Sequence, residues 1–237
     1  MNVIRFHKIN STNTYLKEKY NILDNLTLVV ADHQTSGKGR MGRNWIDSDD
    51  LLFSILIKER IKNPTDYSLL IASTLLKVLK DYNPKVKWPN DIMINDRKVC
   101  GILLEAVTKE KVECIIIGVG INVNTEFFPS ELLIKATSLK NESKEDINKE
   151  ALLNKIIMTF EDELYNYNNN NSDYSENIRS HFYLQDKEVV FKFNNQDTKG
   201  IVRGINNDGS IIIEIDDNKK VSISSGEVSF ENIYKKK

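Results

Sequence analysis

Cysteine is scarce in this 237-residue sequence, long apolar runs are absent, and neither sign of charge dominates. The two cysteines, Cys100 and Cys114, lie in strand-like apolar stretches with neither CxxC spacing nor neighbouring histidines suited to zinc. That excludes a zinc-binding module and reads as a pair of buried free thiols. No apolar run reaches the roughly 18 to 20 residues that cross a bilayer, and the start, MNVIRFHKINSTN, has no hydrophobic signal core. The expected setting is cytoplasmic, with no membrane partner. With 33 Lys plus Arg against 34 Asp plus Glu, the net charge is -1. A general nucleic-acid binder carries a basic excess, so any anion recognition must come from a local cluster.

What is present is a chain long enough for one large domain and a small one. Ser11, Thr12 and Asn13 precede a short helical stretch, TYLKEKY, and any of the three could cap it. TLVVADH and LLFSILIK read as strands, and Tyr67 to Leu79 is apolar around most of a helical wheel, which predicts a largely buried helix. From Lys85 the pattern is again strands: VKW, IMI, a hairpin turn at Asn95 and Asp96, VCGILLEAV and VECIIIGVGINV. An amphipathic helix spans Ile147 to Leu164, and the polar tract at 165 to 175 reads as an unpacked connection between helices. From Lys187 short strands, VVFKF, GIVRGI, SIIIEI and KVSIS, alternate with turns such as NNDG at 206 to 209 and DDNK at 216 to 219. They predict a small antiparallel barrel, with the domain boundary near residue 185.

Three segments carry chemistry. In Ser36 to Trp45, glycines at 37, 39 and 42 free the backbone, and Lys38, Arg40 and Arg43 place three cations within six residues. Such a loop attracts phosphate or carboxylate, although it matches neither the Walker pattern nor the dinucleotide fingerprint. In KVKWPNDIMINDRKVCGILLEA, Pro89 ends a strand so that Asn90 and Asp91 fall at its tip. Lys98 begins the next strand, and Gly101 leaves open space through which its amine could enter a pocket. In IIIGVGINVN, Gly118 and Gly120 imply either a bulge or a close approach of ligand or backbone, with Asn122 just beyond.

In order and spacing these motifs resemble the biotin protein ligase family nearly end to end. GKGRMGRNW is similar to the family's GRGRRGR-x-W loop, KWPNDI and RKVCGIL to its KWPND and RK-x-x-GIL stretches, GVGINVN to its G-x-GIN segment, and STNTYL to its STN motif, with Gln34 ahead of the loop. The last fifty residues resemble its SH3-like barrel, including RGI and the closing GEVS. The resemblance implies an α+β protein, with a mixed-sheet catalytic domain and flanking helices over 1–185 and an SH3-like C-terminal domain over 186–237. It also implies ATP-dependent activation of biotin to biotinyl-adenylate, with transfer to a lysine of a biotin carboxyl carrier protein of acetyl-CoA carboxylase or a related enzyme.

Carried over by position, Ser11, Thr12, Asn13, Gln34, Lys38, Gly39, Arg40, Lys98 and Gly101 would contact biotin. Arg43, Trp45, Asn90, Asp91 and Asn122 would build the ATP side. Lys98 and Arg40 would be the catalytic pair, with magnesium carried by ATP rather than held by a protein metal site. Because a carboxylate is already ionised at neutral pH, no base is required, and His7, His33 and His181 are read as structural or solvated. Two departures stand out: Lys38 and Met41 occupy family arginine positions, and lysine keeps charge without the bidentate fork. Only about ten residues precede the STN motif, so no DNA-binding role is expected; pairing of two copies through sheet edges is compatible with the family. A lipoate or octanoate ligase or transferase of the same fold is the nearest rival. A nucleic-acid-binding module is the rival of another class, opposed by the near-neutral charge and the lack of an aromatic series.

Overall fold

The computed structural model describes residues 1–193, 196–215, 219–224 and 228–229. Its larger sheet has seven strands: β1 (Asn2–Ile9), β2 (Thr27–Gln34), β3 (Leu51–Ile57), β4 (Lys85–Lys87), β5 (Asp91–Ile94), β6 (Arg97–Thr108) and β7 (Val112–Ile121). They lie in the order β1-β2-β3-β7-β6-β5-β4, with β1 and β2 parallel and every other neighbour antiparallel. This is the mixed sheet expected. Asn95 and Asp96 adopt positive φ of 47° and 62° in the β5–β6 turn, the conformation that short polar residues tolerate best.

β3 is buried along its whole length because both sheet faces are covered. On one face lies α1 (Thr12–Lys19), where Leu16 packs with Val29, Leu56, Cys114 and Ile116. On the other lie α2 (Pro64–Val78), α4 (Lys149–Asn168) and α5 (Tyr174–Ser180), whose apolar sides join Phe53, Ile55, Ile117 and Val119 in the main core. A short helix, α3 (Leu139–Ser143), and the edge strand β1 were not anticipated. β1 is mostly exposed and buries too little apolar surface to mark the sequence.

The polar tract is the clear correction. α4 continues through Asn168, and only 169–173 connects it to α5. Tyr167 and Tyr174 are buried, and the Tyr167 hydroxyl donates to Asp66 Oδ2 at 2.6 Å. Two aromatic anchors within a run of asparagines are enough to pack the tract.

The C-terminal strands β8 (Glu188–Phe193), β9 (Gln196–Ile205), β10 (Ile211–Ile215), β11 (Lys219–Ile223) and β12 (Val228–Ser229) form an antiparallel sheet in the order β11-β10-β9-β8-β12. Among the described residues its outer strands do not pair, so the expected barrel is open there. The 216–218 part of the DDNK turn and the Gly226–Glu227 start of GEVS lie outside the described residues. The β9–β10 turn docks on the larger domain, with buried Trp88 donating Nε1–H to the Gly209 carbonyl at 2.9 Å.

Candidate active site

Strand side chains alternate between faces, and that alternation hollows out the site. On β7, Ile117, Val119 and Ile121 enter the main core, leaving Gly118 and Gly120 on the opposite face. On β6, Cys100 and Ile102 face the core, leaving Gly101, Leu103 and Glu105 beside those glycines. On β3 the register pairs Ser54 with Gly118. Missing side chains on this face open a cavity of about 860 Å³.

Ser11, Thr12, Asn13, Gln34, Lys38, Gly39, Arg40, Arg43, Trp45, Asn90, Asp91, Lys98, Gly101 and Asn122 all line that one cavity. Ser11 caps α1, its Oγ accepting from Thr14 N at 3.4 Å, which places Thr12 and Asn13 over the sheet. Gln34 Oε1 accepts from Thr12 N at 2.7 Å. At the two strand glycines it is side chains, rather than the ligand or backbone expected, that approach closely: a Cβ on Gly118 would stand 2.2 Å from Asn13 Oδ1, and one on Gly120 would stand 2.8 Å from the Trp45 ring. β6 and β7 stay in unbroken register at both positions.

Lys98 Nζ pairs with Asp91 Oδ1 at 2.7 Å and sits 5.7 Å above the Trp45 ring. A Cβ on Gly101 would meet both Lys98 Nζ and Trp45 at 3.0 Å, so this glycine makes room for the lysine and the indole together. Asn90 Nδ2 donates to the Ile102 carbonyl at 2.7 Å, and Asn122 Nδ2 to the Thr137 carbonyl at 2.9 Å; both asparagines brace the cavity wall. The 36–45 loop is closed by Gly39 N to Arg43 O at 2.7 Å and Trp45 N to Gly37 O at 2.9 Å. Met41, at φ 54°, is exposed at the loop tip. The buried indole of Trp45 faces the Asp50 carboxylate and acts on it as a hydrogen-bonding neighbour.

Residues 5–122 match the biotin/lipoate A/B protein ligase family, and residues 186–231 match the biotin protein ligase C-terminal domain. The chain belongs to the biotin protein ligase family. Among its relatives is the bifunctional ligase/repressor BirA of Bacillus spizizenii, 39% identical over 152 residues that take in 60% of this chain and 46% of that protein. The match therefore spans less than half of that relative's length. The biotin–[acetyl-CoA-carboxylase] ligase of Mycobacterium tuberculosis is 25% identical over 85% of this chain and 77% of its own. The Aquifex aeolicus biotin protein ligase, solved in complex with biotin and ATP, superposes with a TM-score of 0.84 at 28% identity, covering 96% of this chain and 97% of that one.

Three site residues of this biotin protein ligase family member escaped the sequence reading. Ser54 is fully buried beside Thr12 and Asn13, and its one signal was being the only polar side chain in LLFSILI. Glu105 accepts from Asn13 Nδ2 at 2.9 Å and from Lys17 Nζ at 3.2 Å. Burial alone would raise its pKa, but these bonds outweigh that and hold it below the ordinary value. Asp50, 3% exposed, accepts from Thr125 Oγ1 at 2.6 Å. Burial pushes its pKa up to about 6, against the smaller pull of that hydrogen bond. Both thiols are free and buried, and burial raises both, as expected of structural cysteines.

Proposed function

We propose that the protein activates biotin with ATP as biotinyl-adenylate and transfers the biotinyl group to a lysine of a biotin carboxyl carrier protein, in the cytoplasm. The catalytic unit is 1–185, and 186–237 is the SH3-like domain. The observation that carries this reading is that Lys98 and the 36–45 loop share a single cavity with Ser11, Thr12, Asn13 and Gln34. A lysine, a glycine-jointed cationic loop and a row of short polar side chains suit one ligand that is polar at its head and anionic at its tail.

The biotin carboxylate attacks the α-phosphorus, so two anions must come within bonding distance. Fixed cations offset that repulsion. In this reading Lys98, paired with Asp91, serves the meeting point, and Lys38, Arg40 and Arg43, which line the same cavity, serve it from the loop. ATP arrives with its magnesium ion as the substrate pair, which neutralises the departing pyrophosphate. The adenylate is a mixed anhydride, and a loop that folds over it keeps water away until the acceptor lysine attacks the carbonyl and AMP leaves. The test is to incubate the chain with ATP, magnesium and a carrier domain, supplying biotin, lipoate or octanoate in turn, and to weigh the carrier. Mass gain with biotin alone is expected, whereas gain with lipoate or octanoate and not biotin would overturn the assignment in favour of the neighbouring activity.

A further inference from the structure

The polar groups beneath Thr12 and Asn13 form one chain of hydrogen bonds whose direction is set from one end. A carboxylate only accepts. Glu105 therefore takes Asn13 Nδ2, which also faces the Leu103 carbonyl at 3.5 Å, and the Asn13 amide is oriented with Oδ1 toward Ser54, 2.6 Å away. That oxygen accepts, so the Ser54 hydroxyl donates to it. Ser54 has one proton, so at its 2.6 Å contact with Thr12 Oγ1 it is the acceptor and Thr12 the donor. The Thr12 proton is thereby committed. Its 3.1 Å approach to Gln34 Oε1 is secondary, because the 2.6 Å contact with Ser54 is shorter and needs a proton between its two oxygens. Toward the cavity Thr12 presents lone pairs and no proton.

We propose that Glu105 and Ser54 are positioning residues that fix the hydrogen-bond polarity of this pocket, obliging Thr12 and Asn13 to accept from the ureido N–H groups of the ligand. The inference rests on the reading of the cavity as a biotin site. Neither residue needs to touch the ligand. Ser54 lies behind Thr12 and Asn13, fully buried, and Glu105 faces the space beneath the loop. Cutting the chain at either residue frees a proton: without Ser54 the Thr12 hydroxyl can turn outward, and without Glu105 the Asn13 amide can reverse and release the rest in turn. The intact pocket should reject a ring that offers an acceptor where biotin offers N–H, because opposed lone pairs would stay buried and unmatched.

The test is a ligand-and-mutation cycle. Wild type, Ser54→Ala and Glu105→Ala are each titrated calorimetrically with biotin and with the two cyclic carbamates in which one ureido N–H is replaced by oxygen. Wild type should prefer biotin over at least one carbamate by about a hundredfold, the scale of one unmatched buried polar group. In both variants that preference should shrink to about tenfold or less. Biotin and carbamate weakened by the same factor would mean a merely structural role and would overturn the proposal. Should Ser54→Ala fail to fold, Glu105→Ala, at a partly exposed position, decides it alone. Biotin binding with an unchanged preference defeats the relay only, whereas a wild type that binds neither ligand defeats the biotin reading and this inference together.

Discussion

The two walls of the cavity are built on opposite physical plans. The sheet side is fixed: Thr12, Asn13 and Ser54 are buried and cross-linked by hydrogen bonds of 2.6 to 2.9 Å, and a Cβ on Gly118 would strike Asn13. The 36–45 loop is largely exposed, carries the cations and closes on itself through backbone bonds, with Met41 and Gly42 at positive φ. It stands off β6 over an opening of about 520 Å³ lined in part by Leu103, Leu104 and Glu105. A rigid wall discriminates, because its polar groups cannot adjust to the wrong ligand. A jointed wall suits retention, the part that the proposed function gives to this loop.

Damage at the junction of the two plans should be the most severe. Lys98→Ala removes the cation to which the proposed mechanism assigns the meeting of carboxylate and phosphate, and adenylate formation, followed by pyrophosphate release, should fall by about a hundredfold or more. Near-normal release would take Lys98 out of the mechanism. Next in size is Gly118→Ala on the fixed wall. Its Cβ must displace Asn13, so biotin affinity should drop by about ten- to a hundredfold and stability by about 1–3 kcal/mol. Unchanged biotin affinity in a titration would show that the sheet side yields after all.

On the jointed wall, Arg40→Gly should leave adenylate formation measurable while the intermediate escapes and labels bystander proteins, seen as biotin on an added non-substrate protein. Full retention of the intermediate would blur the contrast between the walls. The smallest effect on activity belongs to Asp50, whose change is read in stability. The unfolded chain loses this proton near its ordinary pKa of 3.8 and the folded chain near 6, so stability falls as pH rises between those values and is level above them. Asp50→Asn should remove that slope and be more stable than wild type at pH 7.5, by at most about 3 kcal/mol. Parallel stability curves for the two proteins from pH 4 to 7.5 would show that burial does not hold the proton.

The same contrast explains what was legible in the sequence alone. The loop was legible because glycine and like charge at close spacing have few other uses, and Gly101, Gly118 and Gly120 because a glycine inside a strong strand marks a near neighbour. Their partners were not legible. Ser54, Gly118 and Leu103 meet only through the register of the β6–β7 hairpin against the distant strand β3, and Glu105 joins them by strand parity rather than by motif. Asp50 ends the acidic run DSDD, and nothing in that run distinguishes its last member, which the fold buries. β1 was hidden by its exposure and the end of α4 by its asparagines, since composition averages over the one tyrosine in a turn that packs.

The most direct measurement is the melting temperature of the chain with biotin, with magnesium ATP, and with both. If the fixed and jointed walls converge on one acid and one nucleotide, the shift with both should exceed the sum of the separate shifts by about 5 °C or more, the scale expected when a tightly held adenylate replaces two weaker ligands. Strictly additive shifts, or none, would contradict the shared site.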